Sequence, residues 1–453
     1  MKQMFMVIYK ALIRVLVIMS LALQIATAQP NWMKYPGSPV LDVGGPGEWD
    51  AGRVNNADIN FDGVTYQMWF TGDAGANTGK IGYASSTDGI SWTKYNDPAT
   101  TSAPFAESDP VLTPTASGWD SVVTVLPVVI VDNTINEYKM WYAGSGEGTG
   151  GGIGYATSTD GISWDKHGTG PVMPLGEPGK WDDGLVAPGA VIVEGSTYKM
   201  WYSGARALPY FQIGYATSSD GITWDRHPTP VLKPSLPGEW DDFFVYTPEV
   251  YWDGNIYHMW YFGRGGNPPV GQIGHATSPD GINWDKDTLN NPVLSPGANG
   301  AWDDVVVAHP RVIVASFNDS THCRMWYTGN DGSHARIGLA EADSCVTSII
   351  GSITDADIIT TKNFTLLQNY PNPFNPSTRI TYVLPTSSDV ILKIYNLLGQ
   401  EVRTLVNARQ APGAQSAVWD GRDHAGRPVS SGIYIYQLQA GREVQSRKML
   451  LVR

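Results

Sequence analysis

A block of about 60 residues recurs along most of this chain, and that repetition restricts the possible folds more than any other feature. Its clearest copy runs from Ile213 to Leu232: Ile-Gly-Tyr-Ala-Thr-Ser-Ser-Asp-Gly-Ile-Thr-Trp, then Asp-Arg-His-Pro-Thr-Pro-Val-Leu. The Ile-Gly pair returns at Ile81, Ile153, Ile273 and Ile337, and Asp-Gly-Ile-x-Trp returns at Asp88, Asp160 and Asp280 but not after Ile337. Short apolar runs separated by glycine turns, repeated at this period, predict sheets arranged radially as a β-propeller.

Tryptophan sets the number of units at five. Each unit carries a Trp-Asp pair (Trp49, Trp119, Trp181, Trp240, Trp302) and a Met-Trp pair (Trp69, Trp141, Trp201, Trp260, Trp326). A third Trp closes Asp-Gly-Ile-x-Trp at Trp92, Trp164, Trp224 and Trp284, and the fifth unit lacks it. Its counterpart stands at the other end of the chain, where Trp32 precedes Pro39-Val40-Leu41 and lies 17 residues before Trp49, the same step as Trp164 to Trp181. The repeat is therefore circularly permuted, and residues after Gln29 are expected to supply the last strand of the fifth unit, leaving no open sheet edge.

Ahead of that segment, Lys2, Lys10 and Arg14 precede an apolar run from Val15 to Leu23, and Ala26-Thr27-Ala28 follows. This reads as a secretory signal peptide over residues 1–28, cleaved after Ala28, since the run is short for a membrane span. Export suits a chain with 81 glycines and prolines and only 16% charged residues, and the net charge of -13 argues against nucleic acid as a partner. Cys323 and Cys345, the only cysteines, both fall in the fifth unit; export permits a disulfide, and two separate thiols are the alternative.

Four strands are expected in each unit. The first is the apolar run after Trp-Asp (Val123 to Val131, Val186 to Val193, Val245 to Trp252, Val306 to Val314), the second centres on Met-Trp-Tyr, and the third is Ile-Gly-Tyr-Ala. The fourth runs from the Asp-Gly-Ile-x-Trp tryptophan into Pro-Val-Leu, and the insertion from Asn96 to Glu107 is a candidate rim or lid. The Met-Trp-Tyr-x-Gly, Ile-Gly-Tyr-Ala-x-Ser and Asp-Gly-Ile-x-Trp series resembles the five-bladed propeller glycosidases and glycoside phosphorylases, namely the arabinanase and xylosidase, invertase and mannoside phosphorylase families. The resemblance implies an all-β, five-bladed propeller over 29–345 that acts on or binds poly- or oligosaccharides, as a monomer.

Features common to every unit are read as structural: Asp50, Asp120, Asp182, Asp241 and Asp303 as bonds to backbone amides, and Asp-Gly as a tight turn. Function is sought where the units differ. Aligned on Pro127, Pro188, Pro248 and Pro310, with Ala57 in the first unit, the preceding residue is Asn56, Leu126, Ala187, Thr247 or His309, and the following one Asp58, Val128, Gly189, Glu249 or Arg311. Alternation along a strand sends both positions to one side, toward the channel. The resembled enzymes carry carboxylates just before that proline; here the acids available as base and acid are Asp58 and Glu249, two residues further on. Arg311 would stand between them, which equally describes a structural ion cluster. Sugar-binding candidates at the mouth are Arg53, Asn55, Asn56, Phe243, Phe244, Tyr246, Arg206 and Arg264, with the aromatics as stacking faces or as packing between units. His309 is a candidate channel ligand, and the resemblance admits a calcium ion there.

After a Ser/Thr-rich linker over 346–362, residues 363–453 show alternating strands at Arg379 to Leu384, Val390 to Tyr395, Ser416 to Trp419, Ile433 to Leu438 and Val444 to Leu451, predicting an immunoglobulin-like sandwich. Gln368-Asn369-Tyr370-Pro371-Asn372-Pro373-Phe374-Asn375-Pro376-Ser377-Thr378, Ile394-Tyr395-Asn396-Leu397-Leu398-Gly399-Gln400-Glu401-Val402, Trp419-Asp420-Gly421, Ser431-Gly432-Ile433-Tyr434 and Lys448-Met449 closely resemble the type A C-terminal sorting domain of the type IX secretion system. That implies a Gram-negative host, the secretion machinery as partner, and a secreted or cell-surface product. Three functions remain open: a glycosidase or phosphorylase, a non-catalytic glycan binder, and an adhesion or scaffold protein.

Overall fold

The computed structural model describes residues 32–345 and 365–452, apart from 76–77, 133–134, 136, 149, 318–319, 343–344, 367–368, 370–373, 375–376, 385, 397–398, 411–412 and 442. The expected signal peptide and linker lie outside the described residues. Two compact units divide the chain between Thr347 and Ser348.

In the first unit of the chain, five successive antiparallel three-stranded groups, each called a sheet below, are Arg53–Phe61, Tyr66–Asp73 and Lys80–Ser86; Val123–Asp132, Glu137–Gly146 and Gly150–Ser158; Leu185–Glu194, Thr197–Ala205 and Gln212–Ser218; Phe244–Trp252, Tyr257–Gly265 and Val270–Ser278; and Val306–Phe317, Ser320–Asn330 and Ala335–Ala342, with single parallel bridges from Gly271 to Val306 and from Arg53 to Ala335 joining the fourth, fifth and first. The first strand of each sheet lies against those of its neighbours, the fifth returning to the first, which is the arrangement of a β-propeller. The outer strand is shorter than the sequence suggests. It pairs in two pieces, as at Thr93–Lys94 and Pro110–Leu112 in the first sheet, because the intervening prolines have no N–H to continue a ladder.

The permutation is present. Met33 and Lys34 pair with Glu341 and Ala340, and Leu41 bridges Ile337, so the amino-terminal segment completes the fifth sheet. Trp32 meets Trp260 edge to face at 6.4 Å, as Trp164 meets Trp69, Trp224 meets Trp141, Trp284 meets Trp201 and Trp92 meets Trp326. The copy is incomplete in one bond. Trp69, Trp141, Trp201 and Trp326 each donate Nε1–H to the glycine carbonyl of an Asp-Gly turn in the next sheet. No Asp-Gly follows Ile337 in the sequence, and the Trp260 and Trp32 indoles stay buried without a hydrogen-bond partner among the described residues.

The Trp-Asp carboxylates are structural, but their partners are side chains rather than the expected backbone amides. Asp120, Asp241 and Asp303 each accept from the tyrosine of Met-Trp-Tyr and from a lysine, Lys166, Lys286 and Lys34; Asp182 uses Tyr202 and Arg226, and Asp50 uses Lys94. The insertion from Asn96 to Glu107 is no lid. Pro104 accepts from the Trp49 amide, Glu107 accepts from the Gly45 amide, and Ser108 just beyond it accepts from the Trp49 indole, so the segment seals Trp49. Cys323 and Cys345 are bridged, tying the end of the propeller to the second strand of its fifth sheet.

Residues 365–452 form a sandwich of two sheets, Thr365–Leu366, Thr378–Leu384 and Gly413–Trp419 in one, and Ser388–Tyr395, Glu401–Gln410, Gly432–Ala440 and Glu443–Leu451 in the other. Glu401–Gln410 is absent from the sequence reading: it is a sheet edge with mostly half-exposed side chains, so its alternation is weak. The Tyr434 hydroxyl donates to the Ser430 carbonyl four residues upstream, a corner familiar in immunoglobulin-like sandwiches. Two residues of the motif from Gln368 to Thr378 are built into this fold: Asn369 is buried and donates from Nδ2 to Thr378, and Phe374 packs on Trp419 at 5.5 Å.

Candidate functional site

Every first strand breaks its ladder at the aligned proline position, between Asn55 and Asp58, Val125 and Val128, Pro188 and Ala190, Tyr246 and Glu249, and Ala308 and Arg311. Asn56, Leu126, Thr247 and His309 adopt positive φ there, at 51°, 56°, 45° and 50°, a region that non-glycine residues seldom occupy. Strict alternation therefore fails where the sequence argument invoked it. Both positions nonetheless line the channel, because the bulge turns the intervening peptide. In three cases a hydroxyl from the preceding sheet holds the bulge: Thr328 accepts from the Asn56 amide, Thr71 from Leu126 and Ser203 from Thr247.

Gly189 lets Pro248 of the next sheet approach its backbone closely. A Cβ added there would lie 2.5 Å from Pro248 Cγ and 2.8 Å from the Trp201 carbonyl. Gly189→Ala is expected to cost about 1–3 kcal/mol through overpacking, read as a lower urea midpoint.

At the axis, Arg311 Nε lies 2.9 Å from Asp58 Oδ1 and Arg311 Nη1 lies 2.6 Å from Glu249 Oε2. All three side chains are largely buried. Each also reaches the backbone of the next sheet: Asp58 accepts from the Val129 amide at 2.6 Å, Glu249 accepts from the Val312 amide, and Arg311 donates to the Ile59 carbonyl. These charges stitch the fourth, fifth, first and second sheets together across the closure of the ring.

Burial pushes Asp58 up, opposed by Arg311 and by the amides of Val129 and Ile59. Burial also pushes Glu249 up to about 7, against Arg311 and reinforced by the charge on Asp58. Arg311 is shared between two buried carboxylates, and Glu249, raised to about 7, is the one placed to take up a proton near neutral pH. Burial drives His309 down to about 3. Its imidazole is neutral, with Nδ1 buried and without a partner among the described residues, and it lies edge-on to Tyr246 at 5.9 Å.

The cavity bounded by these residues measures about 30 Å³, room for about one water and not for a sugar ring. Nor does it suit the calcium ion that the resemblance admitted: Arg311 already occupies the place between the two carboxylates, and no group of three acids, histidines or cysteines fit for a metal occurs among the described residues.

A sugar would have to bind above this point, at the mouth. There Arg53 pairs with Asp73 at 3.0 Å, and Asn55 and Asn56 each leave a buried amide oxygen without a partner among the described residues. The aromatics mostly pack on one another. Phe244 touches Phe211, Phe243 and Phe262, and is itself buried, whereas Phe243 and Tyr246 are half-buried and Arg206 and Arg264 exposed. Phe211 and Tyr210 belong to this group although the sequence reading passed over them; the signal was their place in a turn that is glycine-rich or polar in the other sheets.

The fold is an all-β propeller followed by an immunoglobulin-like domain, and comparison with known proteins agrees on both parts. Residues 375–443 match the model of the FlgD Ig-like domain. An uncharacterized protein of Mycobacterium tuberculosis is 27% identical over 290 residues, covering 62% of this chain and 88% of that protein. A β-1,2-mannobiose phosphorylase of a Thermoanaerobacter species is 28% identical over 164 residues, covering 31% of this chain and 52% of the relative. A solved structure described as a glycoside hydrolase superposes with a TM-score of 0.53 at 15% identity, over 71% of this chain and 94% of that one, a likeness of fold.

Proposed function

We propose that this is a carbohydrate-active propeller protein that meets its glycan at the mouth of the channel. The observation that carries this reading is the departure from symmetry there: Arg53, Asn55 and Asn56 on the first sheet supply hydrogen-bonding groups, and the half-buried Phe243 and Tyr246 on the fourth supply ring faces. Partial similarity to a mannobiose phosphorylase supports it. Turnover, where present, is of the glycoside hydrolase type, with Glu249 as proton donor and Asp58 as the ionised partner. The 30 Å³ cavity favours binding without turnover, with the axial charges holding the ring closed.

Incubating the protein with a polysaccharide panel, scored for binding and for released sugar, separates the two forms. Binding weakened by Tyr246→Ala with no product supports recognition alone; product formation abolished by Glu249→Gln supports hydrolysis or phosphorolysis. No binding to any glycan removes both.

Export through the type IX route to the cell surface is part of the same proposal, supported by the ordered motif of the tail, whose Asn369 and Phe374 are fixed in a folded sandwich. Retention of the protein in the periplasm after deletion of residues 363–453 is the expected result in a host with that system.

A further inference from the structure

The turn joining the second and third strands is short on side chains in four of the sheets: Ala74-Gly75, Gly146-Glu147-Gly148, Gly265-Gly266-Asn267 and Asp331-Gly332-Ser333 stand at its tip. In the third sheet the same turn reads Ala205-Arg206-Ala207-Leu208-Pro209-Tyr210-Phe211, and it presents Tyr210 at 59% exposure. It is well fixed. The Tyr210 amide donates to Ala207 O, the Phe211 amide to Pro209 O and the Val245 amide to Phe211 O, and the Tyr210 ring lies edge-on to Phe243 at 5.5 Å. Arg206, Tyr210, Gln212 and Trp181 line a groove of about 450 Å³, the size of a sugar subsite. Trp181 is itself stacked on Tyr202 at 5.6 Å, which holds that wall in place.

Charge gives the groove a chemistry. Residues 29–345 hold 16 lysines and arginines against 36 aspartates and glutamates, a net -20. Most of those cations are taken up in ion pairs, as Lys34, Arg53, Lys94, Lys166, Arg226, Lys286 and Arg311 show. Arg206 forms no ion pair among the described residues, despite more than two acids for every cation, and Arg264, whose carbonyl accepts from the Phe243 amide, forms none there either. Gln212 makes no side-chain bond among the described residues, whereas its counterpart Gln272 donates to Ser295. An exposed guanidinium, an unused amide and a fixed phenol ring at one place match a sugar that carries a negative charge.

We propose that this groove is a subsite for an acidic sugar residue of the glycan, its ring lying on Tyr210, its carboxylate or sulfate ester bound by Arg206 and a hydroxyl by Gln212. The inference rests on the reading of the propeller as a glycan-binding protein and names its ligand class. The overall negative charge does not oppose it, because at physiological salt charges more than about 8 Å away are largely screened.

The test titrates the full chain with polygalacturonate, alginate, hyaluronan and chondroitin sulfate, each against its carboxyl-reduced or desulfated form. At least one acidic polymer is expected to bind, to lose about tenfold or more in affinity on neutralisation, and to lose a similar factor in Arg206→Gln and Tyr210→Ala. Arg409→Gln, on the tail, is expected to bind like the parent, which separates the groove from general attraction to the basic carboxy-terminal region. Selective loss on carboxyl reduction or on desulfation tells which anion is bound. Equal binding of acidic and neutral forms, binding of neutral glycans alone, or unaltered binding in Arg206→Gln overturns the subsite and leaves the general reading standing. Failure to bind any glycan, charged or neutral, overturns both.

Discussion

A chain lacking residues 29–41 is expected to lose the cooperative unfolding of its propeller and to self-associate. Those residues supply the paired strand at Met33 and Lys34, the bridge from Leu41 to Ile337, the Trp32 ring that covers Trp260, and the Lys34 ammonium 2.6 Å from the buried Asp303 carboxylate. Without them the strand Ala335–Ala342 becomes an open edge, with unpaired amides and carbonyls that another chain can complete. The Asp303 carboxylate would also lose its cation while staying buried. A milder variant grades the effect. Trp32→Ala removes a ring that is only 6% exposed and is expected to cost about 3–5 kcal/mol, as a large-to-small change in a core does. Tryptophan fluorescence during urea unfolding reads the stability, and light scattering after size exclusion reads the association. A truncated chain that stays monomeric and keeps the parent midpoint would mean that the ring closes without its amino-terminal strand.

Much of this closure was legible because repetition supplies an internal control. Trp32 was identified by its distance from Trp49, and a second signal lay beside it: Trp32-Met-Lys34 repeats Trp92-Thr-Lys94, Trp164-Asp-Lys166 and Trp284-Asp-Lys286, and the lysines of all four bond the Trp-Asp carboxylates. Spacing alone does not say that a lysine and an aspartate 269 residues apart will meet, whereas an aspartate at a strand entrance is by itself expected to bond backbone amides. The bulge at the channel was hidden for a different reason. Positive φ at Leu126 and Thr247 is held by hydroxyls of neighbouring sheets, Thr71 and Ser203, and neither residue type favours that region by itself. The cluster of Asp58, Glu249 and Arg311 was nevertheless foreseen, since ring order alone puts the fifth sheet between the fourth and the first. What sequence could not supply was the width of the space around it, which depends on how closely Gly189 lets Pro248 approach.

Arg311→Met is expected to destabilise the propeller by about 3–5 kcal/mol at pH 8, where Asp58 and Glu249 would remain buried without their cation, and by much less at pH 5. The pH dependence follows from the parent cluster. Glu249 is raised from 4.5 to about 7 in the folded state, so between those values the native protein holds a proton that the unfolded chain releases. The stability linked to Glu249 is therefore complete below about pH 4.5 and is lost as pH rises through about 7, a change of about 3 kcal/mol. His275 and His309, each driven by burial to about 3, act in the opposite sense: their contribution is present above pH 6.5 and is lost as pH falls toward 3. The two trends overlap in the parent, so Glu249 is best read as the difference between the parent and Glu249→Gln, in which the histidine contributions cancel. Relative to the parent, Glu249→Gln is expected to gain stability as pH rises from 5 to 8, because the amide carries no charge to bury. Urea unfolding at four pH values in that range measures it, and a difference that does not change with pH would place the shared proton elsewhere. The same variant bears on activity. A proton held on Glu249 at neutral pH is what a general acid needs, but the same proton also spares the ring a second buried negative charge. A Glu249→Gln protein that is more stable at pH 8 and still binds glycan as the parent does would assign the axial charges to closing the ring and the recognition of sugar to the mouth above them.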